Sequence, residues 1–290
     1  MKYELKRLNI ELSARCSYAC AGCPNTYMKR KKGNMSFESF KQIYGEIEDK
    51  IQKVYLWNYG EPLLNPHIAE IICYTKNKKP RTVLSTTGQT LPMREDLSFL
   101  STLDELIISI NGFDSETYSF HQKGGNFTKI VAGLRRLKPI MERMGTEYIL
   151  QTVANSRNIN QIDEIEQFAR EYGFNKVVLK SFNVMDNKEE TERQYVPQEL
   201  LFSRKNPVYK TDKVYPCFEW MVVNWNGDVN ICCWDYEGEI IVGNVLEQGV
   251  FDVWESKKMT GLKQRLANER ILPYCSRCTI KTTISELVLK

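Results

Sequence analysis

Cys16, Cys20 and Cys23 stand in the spacing Cys-x3-Cys-x2-Cys directly behind the first apolar segment of the chain. Three thiolates on one short loop can ligate three irons of a cubane cluster, which leaves the fourth iron open to a ligand that is not protein. Zinc also takes thiolates, but it takes four ligands, commonly as two Cys-x2-Cys pairs, and this loop offers three with no histidine near them. Cysteines gather again in the last third of the chain, at Cys217, Cys232, Cys233, Cys275 and Cys278, the last two as Cys-x2-Cys. Four of those thiolates would fill a second cluster or a zinc ribbon. A third feature is the carboxylate Glu61, inside Asn58-Tyr59-Gly60-Glu61-Pro62-Leu63. A Gly-Pro turn accounts for Gly60 and Pro62 but not for Glu61, which has the chemistry to receive a charged ammonium.

Short apolar, β-rich runs near residues 5–12, 53–58, 81–86, 105–110, 147–153 and 176–182 read as strands. Helical stretches lie between them at 36–50 (opened by Ser36 as N-cap), 66–77, 94–102, 126–143 and 160–172 (ended by Gly173). Six strands with intervening helices predict a parallel sheet with right-handed crossovers, a fold of the α/β class. The character changes in the last third. A hairpin is expected from Met221 to Asn224 and from Val229 to Cys233 around Asn226-Gly227, followed by an amphipathic helix from about Val250 to Ala267. The domain organisation read from this is 1–205 for the barrel-like part and 206–290 for the appended module.

The 290 residues are 42% hydrophobic, enough for one sizeable core and a small addition. No apolar run reaches the ~20 residues needed to cross a bilayer, and residues 1–15 hold no secretory segment, so a cytoplasmic protein without a membrane partner is expected. In that compartment nine cysteines are ligands rather than disulfides. A net charge of +4 gives no reason to expect nucleic acid. The basic run at residues 29–32 (KRKK) reads as a solvated loop, or as a place for an acidic electron donor to dock.

These motifs, in this order, resemble the radical S-adenosylmethionine (SAM) superfamily. The resemblance implies a partial (β/α)6 barrel, a 4Fe-4S cluster on Cys16, Cys20 and Cys23, and SAM chelated to the open iron, where one electron cleaves it to a hydrogen-abstracting 5'-deoxyadenosyl radical. It implies that Gly60, Glu61 and Pro62 receive the SAM amino group, with Tyr59 in place of the family's first glycine. Thr86, in Ser85-Thr86-Thr87-Gly88, and Ser109 and Asn111, in Ser109-Ile110-Asn111-Gly112, would meet the ribose hydroxyls and the methionine carboxylate. Gly22 departs from the family, which carries a bulky residue before the last cysteine, so Tyr18 or another group must supply the packing beside the adenine.

The C-terminal pattern is similar to the SPASM/twitch modules: a cysteine, a Gly-initiated segment ending in a cysteine, Gly-Asn, a Trp-containing helix and Cys-x2-Cys. It implies one auxiliary 4Fe-4S cluster on Cys217, Cys232, Cys275 and Cys278. Cys232 is preferred over Cys233 because it lies five residues after Gly227 and Cys233 would point away across the strand; a zinc ribbon is the alternative. Cys73 is expected in the core, and His121 in a loop. Cys23-Pro24-Asn25, the basic loop after it, and residues 59–64 (YGEPLL) resemble the small-molecule dehydrogenases of the 2-deoxy-scyllo-inosamine dehydrogenase type. The implied activity is hydrogen abstraction from a sugar or aminocyclitol, with net oxidation as the auxiliary cluster takes an electron, and a flavodoxin- or ferredoxin-type donor as partner. Arg157 and Lys180 are the candidates for the proton acceptor. The alternative is peptide modification, by epimerisation or cross-linking; the short stretch before the first strand leads us to expect no leader-binding domain there.

Overall fold

The apolar runs form strands and the longer periodic stretches form helices. The computed structural model describes residues 3–143, 145–197, 216–268 and 283–289. Its strands are β1 (Arg7–Ile10), β2 (Lys53–Tyr55), β3 (Arg81–Thr86), β4 (Glu105–Ser109), β5 (Glu147–Val153), β6 (Lys176–Lys180), β7 (Trp220–Val223), β8 (Asp228–Asn230), β9 (Ile241–Asn244) and β10 (Thr283–Val288). The helices are α1 (Phe37–Ile47), α2 (Ile68–Thr75), α3 (Ser115–His121), α4 (Phe127–Met141), α5 (Ile162–Glu171), α6 (Glu189–Tyr195), α7 (Val245–Gln248), α8 (Val250–Glu255) and α9 (Lys257–Asn268). The described residues fall into two compact units. The first draws on Met1–Arg15, Met28–Thr82 and Pro207–Ile280, and the second on Cys16–Tyr27, Val83–Asn206 and Lys281–Lys290.

In the first unit β1 is flanked on both sides by parallel strands, with Leu8 level with Val54 of β2 and with Met221 of β7. β8 and β9 then extend the run antiparallel. Strands covered on both faces read as continuous apolar runs, and Leu8, Ile10, Val54, Met221 and Val223 are fully buried. α1 starts where the Ser36 side chain accepts from the Ser39 N–H. It then buries Phe40, Ile43, Tyr44 and Ile47, one stripe at helical spacing. Tyr74 of α2 meets the rings of Phe37, Phe40 and Tyr44 edge-on.

The second unit runs β3, β4, β5 and β6 in parallel, with β10 antiparallel on the outside of β6. Neither run of strands closes on itself. Asp114 caps α3 in a reciprocal box with Thr117, and Asn126 caps α4. Leu106, Ile108, Tyr148 and Leu150 form its buried centre with Ile130 and Leu134 of α4.

Several expectations change. The hairpin is real, with Val222 opposite Asn230, but its first strand also pairs parallel with β1. β8 ends at Asn230, so Cys232 and Cys233 lie beyond the strand, and alternation across a strand cannot choose between them. The helix expected at 94–102 is replaced by short helical turns at Leu91–Met93 and Ser98–Thr102. There the Asp96 carboxylate accepts from the Ser98 N–H and hydroxyl, which favours a turn. The C-terminal helix breaks at Ser256, whose hydroxyl caps α9 by accepting from Met259 N–H. His121 ends a helix instead of lying in a loop. Cys73 is exposed, because α2 turns Ile68, Ile71 and Ile72 inward instead. The domain boundary at 205/206 lies outside the described residues.

Candidate functional site

The cysteine loop, Cys16–Tyr27, belongs to the second unit and is held by that unit's backbone. Ala19 N–H donates to the Lys123 carbonyl and Ala21 N–H to that of His121. The Tyr18 hydroxyl pairs with that of Tyr118 at 2.8 Å, both rings buried. Cys23 N–H closes a turn onto the Cys20 carbonyl, and Gly22 between them adopts φ +70°, a conformation natural to glycine. A Cβ on Gly22 would lie 3.1 Å from the ring of Phe182. The space at position 22 thus faces the ring of Phe182, which follows β6 and which no local spacing pointed to. The three thiols are unbridged and half-buried. Among the described residues no three His, Cys, Asp and Glu side chains are drawn together as a metal-holding group. The fit to a cluster rests on the donor chemistry, three accessible thiols on a loop whose fold is fixed by its own backbone bonds.

Other predicted SAM contacts of this unit stand at strand ends, where ligands gather in α/β folds. Thr86 ends β3 and its hydroxyl accepts from Gly88 N–H at 3.0 Å. Ser109 ends β4 and its hydroxyl accepts from the Gln151 amide at 3.1 Å. Asn111 is buried, its side-chain oxygen accepting from Val153 N–H at 2.7 Å, so it ties the end of β4 to β5. Lys180 is half-buried at the end of β6. Arg157 is exposed; its guanidinium pairs with Glu116 at 2.6 Å and lies over the Phe120 ring.

His121 is buried against Phe182 and Tyr195, and its Nδ1, like the Tyr195 hydroxyl, meets no hydrogen-bond partner among the described residues. Burial pushes its imidazole down to about 4 from the usual 6.5. The unfolded chain therefore takes up this proton first as pH falls. Stability is full above about pH 6.5 and is lost progressively down to about pH 4, by about 3 kcal/mol for this residue. His121→Phe should flatten that part of the profile, as urea unfolding between about pH 7 and pH 4 would read; an unchanged slope would show that His121 is not its source.

In the first unit Gly60, Glu61 and Pro62 follow β2. A Cβ on Gly60 would overlap the Ser13 carbonyl, and Glu61 N–H donates to the Arg15 carbonyl at 2.8 Å. This loop is thereby keyed to the backbone that leads directly into Cys16. The Glu61 carboxylate is buried, with one oxygen accepting from Leu63 N–H at 3.0 Å and Pro62 opening the short turn below it. A buried carboxylate at a strand end suits an ammonium ligand.

The same unit holds a charge network that spacing did not disclose. Arg30, part of the basic run, is not solvated. It grips Glu11 with both terminal nitrogens, at 2.9 and 2.5 Å, and donates from Nε to the Tyr236 carbonyl at 2.6 Å. Glu11 is fully buried and is also approached by the N–H groups of Tyr59 and Trp225. The N–H groups of Lys29 and Arg30 donate to the Glu237 carboxylate. A run of like charges usually marks a solvated surface; here one member is taken inside by a carboxylate on β1's extension.

Of the auxiliary cysteines, Cys217 lies in the turn before β7, and Cys232 follows β8, its Sγ accepting from Trp234 N–H. The hydrogen bond with Cys233, and burial, push the Cys232 thiol up. Cys275 and Cys278 lie outside the described residues. Lys263 of α9 is almost fully buried beside Trp254; burial lowers its ammonium to about 7, opposed by the charge of Cys217. No helix among the described residues is long and apolar enough to cross a membrane.

Comparison with known proteins agrees with the fold. The radical SAM superfamily profile matches residues 10–169, and that of the SPASM iron-sulfur cluster-binding domain matches residues 214–279. The chain is 21% identical to the tungsten-containing aldehyde ferredoxin oxidoreductase cofactor-modifying protein of Pyrococcus furiosus, over 96% of this chain and 88% of that one. Among solved structures it superposes on BtrN in complex with AdoMet and 2-DOIA with a TM-score of 0.58 at 18% identity, covering 92% of this chain and 88% of the other. It superposes on Streptococcus suis SuiB bound to precursor peptide SuiA with a TM-score of 0.68 at 16% identity, covering 90% of this chain and 66% of the other.

Proposed function

Because the chain belongs to the radical SAM superfamily, we propose that it abstracts a hydrogen atom from a polar small molecule, a sugar or aminocyclitol, and completes a two-electron oxidation. Membership brings a 4Fe-4S cluster and SAM, and the SPASM segment brings auxiliary iron-sulfur. The bound cluster and SAM supply the carbon-centred radical that removes the hydrogen. Cys16, Cys20 and Cys23 are assigned to hold that cluster. Glu61 is assigned to the SAM ammonium, with Gly60 and Pro62 shaping its turn, and Thr86, Ser109 and Asn111 to the polar remainder of SAM. Phe182 and Tyr18 wall the loop beside Gly22.

The observation that carries the oxidative reading is the cysteine plan. Cys217, Cys232, Cys275 and Cys278 complete four thiolates in the segment that matches the SPASM domain, and beyond them and the loop only Cys73 and Cys233 remain. Four thiolates leave no iron free for substrate, so electron transfer is the role left to that centre. Loss of a hydrogen atom from a carbinol carbon, of the hydroxyl proton to a base and of one electron to the auxiliary centre leaves a ketone. Lys180, at a strand end, is our candidate base. Arg157 is set aside in that role, since a guanidinium does not deprotonate in proteins and this one is held by Glu116. A flavodoxin- or ferredoxin-type donor would provide the electron that starts the cycle.

The BtrN likeness, over nearly the whole of both chains, supports a small substrate. The SuiB likeness supports the second reading, modification of a peptide. Anaerobically reconstituted protein should carry about eight irons, the sum of two cubanes, and should form 5'-deoxyadenosine with dithionite and SAM. Deuterium at the carbinol position of a substrate sugar or aminocyclitol should then appear in the deoxyadenosine. About four irons with bound zinc would remove the electron acceptor and the oxidation with it, and deuterium transfer from a peptide but from no polyol would establish the second reading instead.

A further inference from the structure

We propose that Tyr59 and Tyr236 form a latch by which the C-terminal segment holds the turn that receives SAM, so that this segment sets SAM affinity independently of any iron it carries; the inference rests on the assignment of Glu61 to the SAM ammonium. All the residues involved belong to the first unit. Tyr59 stands immediately before Gly60 and Glu61, where the motif of the family begins with glycine. The turn is held from two sides. On one side Gly60 lies against the Ser13 carbonyl and Glu61 N–H donates to that of Arg15. On the other, Tyr59 N–H donates to the Glu11 carboxylate at 3.3 Å. The Tyr59 ring meets that of Tyr236 with centroids 6.0 Å apart and planes at 81°, the edge-to-face geometry that aromatic quadrupoles favour.

Tyr236 lies between β8 and β9, inside the segment that matches the SPASM domain, and its surroundings fix it. Its carbonyl accepts from Arg30 Nε at 2.6 Å, and the carboxylate of the next residue, Glu237, accepts from the N–H groups of Lys29 and Arg30. The preceding Asp235 carboxylate accepts from Glu239 N–H and Ile240 N–H, each at 2.9 Å. Arg30 in turn grips Glu11. Tyr59 is therefore tied to one end of this network by its backbone and to the other by its ring. A glycine at position 59 would keep the backbone contact and lose the ring, and two successive glycines would leave the turn freer to move. Neither tyrosine is a catalytic residue. Each is a positioning residue that acts on SAM through the backbone of Gly60 and Glu61.

The test is the KM for SAM in reductive cleavage to 5'-deoxyadenosine by the reconstituted full chain, read together with amide hydrogen exchange of the same chains without metal. Tyr236→Leu should raise that KM about three- to tenfold, the span an aromatic pair contributes. It should leave kcat at saturating SAM unchanged and speed exchange of the amides at 59–61, while those of α1 stay as in the parent. Tyr236→Phe, which keeps the ring, should match the parent in both measurements. Tyr59→Leu breaks the pair from the other side, and joined to Tyr236→Leu it should add little beyond either single change. An unchanged KM in Tyr236→Leu, or faster exchange spread evenly over the chain, would overturn the latch and leave the Glu61 assignment standing. Glu61→Gln checks that assignment: a KM for SAM equal to the parent's would overturn the reading on which the latch depends.

Discussion

Exchanging Cys16, Cys20 and Cys23 for alanine should reduce 5'-deoxyadenosine formation to the level seen without enzyme, while about four irons stay with the chain. The loss is expected to be chemical and not structural. The loop is anchored by backbone bonds to Lys123 and His121 and by the Tyr18–Tyr118 hydroxyl pair, none of which uses a cysteine side chain. Alanine at the three positions therefore removes ligands and leaves the loop's supports, and the thermal unfolding midpoint of the metal-free chain should move little. Chromatography of the nucleoside products together with iron analysis reads both halves of the result. Persistent cleavage, or disappearance of all iron, would show that the catalytic cluster is held elsewhere.

The second large effect concerns stability. Arg30→Met leaves the Glu11 carboxylate fully buried and without its cation, a change that costs about 3–5 kcal/mol. The N–H groups of Tyr59 and Trp225 still reach Glu11 and temper the loss without neutralising the charge. Arg30→Lys restores charge but neither the two-pronged grip nor the bond from Nε to Tyr236, so it should recover only part of the stability. Adding Glu11→Gln to Arg30→Met should return much of what the single change lost, since the partners then leave together. Urea unfolding of the parent, Arg30→Met, Glu11→Gln and the double variant measures the cycle. Equal stability of Arg30→Met and the parent would mean that the pair contributes nothing net.

The family was legible because its mark is local. Three cysteines in Cys-x3-Cys-x2-Cys spacing stand out without knowledge of the fold, and the carboxylate after β2 is marked by the apolar run before it. The strands β1 to β6 were readable for the same reason, since strands covered on both faces leave short apolar runs. What stayed hidden depends on partners far away in the chain. Nothing in the sequence of β7 says that it will lie parallel to β1, and the apolar content of 283–288 gives no hint that β10 will cap β6. Arg30 looked solvated because its neighbours are lysines; only the fold shows Glu11 behind it. Lys263 is one of several lysines on its helix, and its burial has no signature in spacing. Gly22 announced a missing side chain, but the ring that stands against it, Phe182, lies far along the chain, after β6.

The parallel pairing of β1 with β7 also sets an order of events during synthesis. β1 is made well before β7, and the Glu11 that follows it can meet Arg30 early, since only 19 positions separate them. The outer edge of β1 must then wait for residues 220–223, and the contact from Arg30 to Tyr236 spans 206 positions. Until those residues are made, the nascent chain exposes a short, apolar strand edge of the kind that recruits other strands. A chain cut short before β7 keeps the cysteine loop and most of the parallel strands, yet it leaves that edge permanently open. The C-terminal segment thus acts as the late intramolecular cover of the first strand, whatever it carries in the way of iron.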